Sequence, residues 1–247
     1  MFLKPRWLLS HLFAISVVVA FIAAGLWQVE RLSQRQEENI LVESRMAAPV
    51  LLDDVLGDDP GQLEFRRIQV TGTYEPANEI LIANRSDEGA PGFWLWTSFD
   101  TAHGDLLVNR GFVNRGVILE ADDALPRSDA FPETGELIIE GLLREGLDGA
   151  RVSEDGTQIT RPDAALAAEL LGLSTALDPS VYLELDAQEP LRVSDIPSPV
   201  PEPDLGEGPH LSYAFQWFTF ATIGVIGYAL VLIRIQRGDQ SRGDVPV

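Results

Sequence analysis

The sequence predicts a membrane protein with two transmembrane helices and, between them, an α+β extracytoplasmic domain of mostly antiparallel sheet, curled or barrel-like. Three observations support this fold class. Two apolar runs are each long enough to cross the roughly 30 Å hydrocarbon core of a bilayer. Basic residues flank the outer ends of both runs. The segment between them contains successive stretches that alternate at the period of β-strands, with helix only at the margins.

The first apolar run covers residues 7–27, with a tryptophan at each end and two basic residues before it. Tryptophans at both ends are typical of a helix that meets the two membrane–water interfaces. A basic start with small residues at 23–25 also fits a cleaved signal peptide. Because the run is longer than a usual signal core, we predict an uncleaved transmembrane helix over 7–29, after a cytoplasmic N-terminus of residues 1–6.

The second apolar run ends at residue 233 and is followed by arginines. We predict a transmembrane helix over 210–233 and a cytoplasmic tail over 234–247. Positively charged flanks stay on the cytoplasmic side, so both termini are predicted to be cytoplasmic and the central domain extracytoplasmic. A bacterial plasma membrane is the expected location, ahead of the mitochondrial inner membrane.

The central domain, residues 30–209, is strongly acidic. Five of the 18 basic and two of the 38 acidic residues lie beyond the spans, which leaves 13 basic and 36 acidic residues and a net charge of −23 here. Such a domain repels polyanions, so nucleic-acid binding is excluded. The chain has no cysteine and two methionines, which excludes disulfides, thiolate metal sites and thioether copper sites.

Within the central domain, residues 31–45 are predicted to continue the first helix outward. Strands are predicted at 66–74, 79–84, 93–99, 105–113, 136–144 and 181–186. A short helix over 163–171, capped by Asp163, precedes the last strand. The proline-rich segment 196–209 is predicted to be an extended linker into the second span.

Among the three histidines, His210 is the strongest candidate for chemistry. Gly208 and Pro209 precede it and favour a helix start, where the helix dipole disfavours imidazolium and leaves the neutral imidazole that binds metals. Helical spacing places His210 on one face with Tyr213 and Trp217, followed by small residues. This face fits an axial haem ligand above an aromatic wall. It also fits an interfacial aromatic belt with an incidental histidine, whose small residues admit a neighbouring helix.

The other two histidines are weaker candidates. His11 lies within the first span near its opposite end and is predicted to be packed or to snorkel. His103 lies beside a glycine in a predicted turn and is expected to be solvated. His11 and His210 are expected to lie about 20 Å or more apart along the membrane normal, so they cannot bind one iron together.

An Asn-Arg pair occurs twice at predicted strand ends, at 84–85 and 109–110. Arg110 is a candidate for binding haem propionates, because arginine holds carboxylates bidentately. The alternative is a local role, in which these arginines neutralise nearby carboxylates and fix turns. Arg127, in a predicted polar loop, is expected to matter less than Arg110. Serine-hydrolase elbows, phosphate loops and His-Glu-x-x-His motifs are absent, so no enzyme activity is predicted.

Motifs along nearly the whole chain resemble those of the surfeit-locus-one family of cytochrome c oxidase assembly factors, called Shy in fungi. The matching motifs are Pro5-Arg6-Trp7, Gly25-Leu26-Trp27-Gln28, Val70-x-Gly72-x-Tyr74, Val108-Asn109-Arg110-Gly111-Phe112-Val113 and His210-Leu-Ser-Tyr213-Ala214-Phe-Gln-Trp217-Phe218. Pro209 stands where the family often has asparagine.

The resemblance implies assembly of the haem–copper oxidase, with haem a delivered to or inserted into oxidase subunit one. The family's haem-ligand candidate matches His210. Together with Tyr213, Trp217 and Arg110, selected above from spacing and chemistry, it forms the candidate site, with haem a bound transiently. The implied partners are subunit one, other oxidase assembly factors, haem a synthesis enzymes and membrane lipid. The alternative is a non-haem scaffold or accessory subunit that docks to the oxidase or a respiratory supercomplex.

Overall fold

The computed structural model describes residues 5–119, 133–192 and 194–243 and divides into two compact units. The first unit, here the helix pair, comprises the described residues of Met1–Leu41 and Asp204–Val247. The second, here the sheet domain, is Val42–Pro203. The helices are α1 Pro5–Met46, α2 Pro60–Leu63, α3 Arg115–Leu119, α4 Ala164–Leu171 and α5 His210–Gly243, with a 3-10 turn at Leu52–Val55. The strands are β1 Val50–Leu51, β2 Arg67–Asp87, β3 Ala90–Thr101, β4 Gly104–Asn114, β5 Leu137–Glu145, β6 Gln158–Ile159 and β7 Val181–Glu189.

Helices α1 and α5 have the length and composition of membrane spans. Only 6% of the most apolar stretch of each is buried in the protein, so neither is the core helix of a soluble domain. At 1.5 Å per residue, the 42 residues of α1 extend about 60 Å, roughly twice the hydrocarbon thickness. The prediction that the first helix continues through 31–45 is therefore confirmed.

The two helices pack through small residues and aromatic rings. A Cβ at Gly25 of α1 would lie 2.6 Å from the ring of Phe218, so only glycine allows this approach. Ala214 and Ala221 of α5 are buried, and the ring of Trp217 stacks on Phe21 with centroids 5.7 Å apart. Helix α1 is therefore the packing partner of α5, and the prediction that it is an uncleaved span stays a prediction.

The sheet domain is a closed five-strand barrel, which confirms the predicted mostly antiparallel α+β class. Its strands follow the order β2-β3-β4-β7-β5, and pairing of β5 with β2 closes the ring. The β4–β7 contact is short and parallel, whereas the other four pairings are antiparallel. The core side chains include Ile68, Phe99, Val108, Ile139, Leu143 and Leu183.

The predicted strands at 66–74 and 79–84 are in fact one strand. β2 runs for 21 residues and absorbs the intervening residues as a register shift between Glu75 and Glu79. Pro76 is tolerated there because a bulge leaves its residues out of the hydrogen-bond ladder. The helix predicted at 163–171 is confirmed as α4, with the Asp163 carboxylate accepting from the Leu166 amide.

Candidate functional site

His210 is the first residue of α5, and its ring contacts α1. Its Nδ1 lies 2.9 Å from Oε1 of Gln28, which is only 9% exposed. An amide oxygen can only accept a hydrogen bond, so Nδ1 carries the hydrogen. In the neutral ring the lone pair then belongs to Nε2, and this nitrogen is the one available to bind a metal.

The space beside Nε2 is kept open by Gly208. This glycine has a φ of +69°, a left-handed conformation that favours glycine. A Cβ at this position would lie 3.6 Å from both Cδ2 and Nε2 of His210. Within the described residues no hydrogen-bond partner engages Nε2. With the hydrogen of the neutral ring on Nδ1, the lone pair of Nε2 points to the side where Gly208 has no side chain, which fits an axial ligand.

The chain that leads into α5 is held to α1 through its backbone. Arg35 donates from Nη2 to the Asp204 carbonyl at 2.8 Å and from Nε to the Gly206 carbonyl at 3.2 Å. Asn39 donates to the Leu205 carbonyl at 2.5 Å. With Gln28, these two side chains are spaced by 7 and 4 residues and so share one face of α1. This face fixes how the chain enters α5 and where His210 lies.

The aromatic residues predicted to share a face with His210 differ in their surroundings. Tyr213 is 47% exposed. Trp217 packs on Phe21 and also meets Phe220 edge-on at 6.0 Å, so its ring takes part in the helix–helix contact. Small residues follow on the same face, and the sequence allowed either a flat ligand or a neighbouring helix beside them. The neighbour at Gly224 is a helix, because a Cβ there would lie 3.5 Å from Val18 of α1.

The other two histidines are engaged elsewhere. In the helix pair, Nδ1 of His11 lies 2.6 Å from the hydroxyl oxygen of Tyr228, so this histidine is packed, as predicted. In the sheet domain, His103 lies in a turn as predicted, but its Nε2 is 2.6 Å from a carboxylate oxygen of Asp53. Asp53 is too distant in sequence for a local pattern to reveal the pair. The described residues contain no group of three or more His, Asp or Glu that could hold a metal ion.

Arg110 lies in the sheet domain, whereas His210, Tyr213 and Trp217 belong to the helix pair. Its side chain is 4% exposed, and Nη1 is 3.2 Å from Oε1 of Glu79. The same oxygen accepts from Thr97 at 2.8 Å, and the guanidinium lies over the Tyr74 ring. Burial raises the pKa of Glu79 and lowers that of Arg110, because both charges are removed from water.

The prediction that the two Asn-Arg pairs lie at strand ends is wrong. Both pairs lie inside long strands, at shifts of the strand register. In β4, Arg110 is the extra residue opposite Leu95 and Trp96. In β2, Asn84 and Arg85 lie at the shift that follows Ile82. The Asn-Arg pairs resemble turn residues but form β-bulges, and each bulge directs its arginine to a packed partner. Arg85, for example, stacks on Trp94 at 4.2 Å. Arg127 lies outside the described residues.

Sequence reasoning missed the residues that surround His210. Gln28 was noted only as part of a motif, Gly208 was noted only as a helix-start residue, and Arg35 and Asn39 were not singled out. A signal was present, since a polar amide follows directly on an apolar run and two further polar residues recur on the same helical face. The partners of Gln28, Arg35 and Asn39 are more than 160 positions away, however, and only the fold brings them together.

A sequence model described as the SURF1 family matches residues 15–222. Proteins of Mycobacterium bovis and Mycobacterium tuberculosis, each named an uncharacterized SURF1-like protein, are 26% identical over 99% of this chain and 91% of their own length. A SURF1-like protein of Monosiga brevicollis is 27% identical over 53% of each chain. The match to the family therefore spans both long helices and the barrel.

Proposed function

We propose that this chain, which belongs to the SURF1 family, assists the delivery of haem a to subunit one of cytochrome c oxidase or its insertion there. The family is known generally as cytochrome oxidase assembly factors and is not a family of enzymes. The finer proposal, that haem a is the cargo, is supported by the surroundings of His210.

The observation that carries the proposal is the state of the His210 ring. Gln28 holds Nδ1, so Nε2 has the lone pair and faces the side that Gly208 leaves open. A neutral imidazole can ligate iron without first losing a proton. One protein ligand, rather than two opposed histidines, suits a carrier that must release its cargo.

The remaining predicted site residues support the proposal to different degrees. Haem a is largely apolar with two propionates, so a site at the water-facing end of a membrane helix suits it, and the exposed ring of Tyr213 lies one turn from His210. Trp217 is already stacked on Phe21. For Arg110 a propionate contact stays a prediction, and its buried pair with Glu79 favours the local role.

A second candidate, a non-haem scaffold that docks to the oxidase or a supercomplex, is favoured by the aromatic packing. The stacking of Trp217 on Phe21 and the hydrogen bond between His210 and Gln28 also suffice to hold two helices together. In that case the histidine has no ligand role, and the same contacts serve only the helix pair.

The proposed setting follows from charge and hydropathy. In the proposed topology both termini are cytoplasmic and the acidic sheet domain lies outside a bacterial plasma membrane, which the two apolar helices and the basic residues beyond them support. The proposed partners are oxidase subunit one, other oxidase assembly factors and the enzymes that make haem a, in contact with membrane lipid.

Complementation of a strain that lacks the gene separates the two functions. We expect a His210→Ala chain, at wild-type abundance in the membrane, to restore subunit one but leave the oxidase with a lower haem a content. His11→Ala is the matched control and should restore both. Full haem a content with His210→Ala would contradict the haem proposal and support the scaffold.

A further inference from the structure

Gln28 is a buried polar side chain at the point where the apolar run of α1 ends. Burying an amide is costly unless it is hydrogen-bonded. Its oxygen meets that need at His210, across 182 positions of sequence, rather than within its own helix. The contact therefore links the two long helices through the one ring nitrogen that a metal at Nε2 would not use.

The hydrogen bond has a chemical consequence for the ring. A neutral histidine carries one hydrogen on either ring nitrogen, and the partner of one nitrogen sets the state of the other. By accepting from Nδ1, Gln28 selects the form with its lone pair on Nε2. Histidines that bind metals are commonly oriented in this way by an acceptor behind the ring.

We propose that Gln28 is the positioning residue for His210, fixing both the tautomer and the rotation of the imidazole so that Nε2 faces the space left by Gly208. The inference rests on the proposed function, since it assigns the group that prepares His210 for haem. It goes beyond that function by placing a determinant of iron affinity on α1, in a side chain that does not touch the iron.

Two neighbours on the same face of α1 show what a purely structural contact would look like. Asn39 donates to the Leu205 carbonyl, and Arg35 donates to the carbonyls of Asp204 and Gly206. Both hold the chain before α5, but neither contacts the His210 ring. Asn39 is as deeply buried as Gln28, at 8% exposed. Asn39→Ala is thus a matched control that removes one hydrogen bond between α1 and the chain before α5 and leaves the hydrogen bond between Gln28 and His210 in place.

The first measurement reports the tautomer without any haem. In the full chain, labelled with nitrogen-15 histidine and purified in detergent, the nitrogen chemical shifts of His210 distinguish the two neutral forms. We expect the Nδ1–H form in the wild type and in Asn39→Ala, loss of that preference in Gln28→Leu, and its recovery in Gln28→Glu, whose carboxylate also accepts. An unchanged tautomer in Gln28→Leu would overturn the inference.

The second measurement is a titration of the same proteins with ferric haem a, followed by absorbance. We expect Gln28→Leu to weaken binding roughly 10- to 100-fold, the usual effect of removing a group that orients a metal ligand. Gln28→Glu should recover the affinity and Asn39→Ala should retain it.

The outcomes separate this inference from the proposed function. If Gln28→Leu binds haem a like the wild type while His210→Ala does not, the positioning role is overturned and the haem function stands. If the wild type binds no haem a, the proposed function is overturned, and the inference with it.

Discussion

The helix pair and the sheet domain differ in how they hold the side chains that could carry chemistry. In the sheet domain the guanidinium of Arg110 is paired with Glu79, and that of Arg144 is paired with Glu64 and Glu184. In the helix pair, one nitrogen of His210 is held by Gln28 and the other is left without a partner among the described residues. An arginine that is paired with carboxylates inside the protein already has a local role, whereas a ring nitrogen that is oriented and has no partner is suited to binding. The comparison places the candidate chemistry in the helix pair.

The largest expected effect concerns membrane topology, that is, on which side of the membrane the sheet domain and the C-terminus lie. Alkaline phosphatase, active only outside the cytoplasm, should be active when fused after Gly149 in the sheet domain and inactive when fused at the C-terminus. The physical reason is the clustering of basic residues beyond the apolar runs. Activity at the C-terminus with none at Gly149 would invert the topology and place His210 at the cytoplasmic end of its helix.

Arg110→Ala tests the assignment of the sheet domain to stability. Removing the cation leaves Glu79 as an unpaired buried charge, which costs about 3–5 kcal/mol. Thermal unfolding of the purified full chain should show this loss, and adding Glu79→Gln should recover part of it. Arg151→Ala, an exposed arginine of the same domain, is the control and should change little.

The opposite result would move function into the barrel. If Arg110→Ala unfolds like the wild type and yet lowers the haem a content of the oxidase, the guanidinium acts on a ligand or partner. The propionate interpretation would then be preferred over the local ion pair.

Gly208→Ala should have a smaller effect. Compared with a second glycine variant, it distinguishes a loss of stability through backbone strain from a loss of haem a affinity through filling of the space beside Nε2. An alanine in the left-handed conformation costs about 1–2 kcal/mol, and its Cβ would lie 3.6 Å from Nε2 of His210. Gly156→Ala carries the same strain at φ +75° with no atom within 4 Å. Both variants should lose similar stability, but only Gly208→Ala should lose haem a affinity. Equal haem a binding by the two would show that this space is unimportant.

The sequence predicted the features of this fold that are written in local patterns. Apolar length marked both spans, alternation marked the strands, and Asp163 marked the start of α4. The pattern failed where bulges keep a long strand continuous, as in β2, because Pro76 and Asn84 resemble turn residues when read locally. Closure of the barrel depends on the pairing of β2 with β5, which no local pattern contains.

The residues of the candidate site also divide into those that a local pattern reveals and those that depend on tertiary structure. His210 could be selected from its type, its place at a helix start and its aromatic neighbours. Gln28 and Gly208 could not, because their roles depend on a contact across the helix pair and on a backbone angle. Arg110 was grouped with His210 on chemistry alone, and its burial against Glu79 is a tertiary feature.

The most direct test of the account is the visible spectrum of the full chain, purified in detergent from cells that make haem a. The account predicts that wild-type protein and His11→Ala carry haem a, because His11 is packed against Tyr228 and contributes no ligand. His210→Ala should insert into the membrane and lose the haem absorbance. A His210→Ala protein that keeps the wild-type haem spectrum would contradict the ligand assignment and leave the scaffold as the better account.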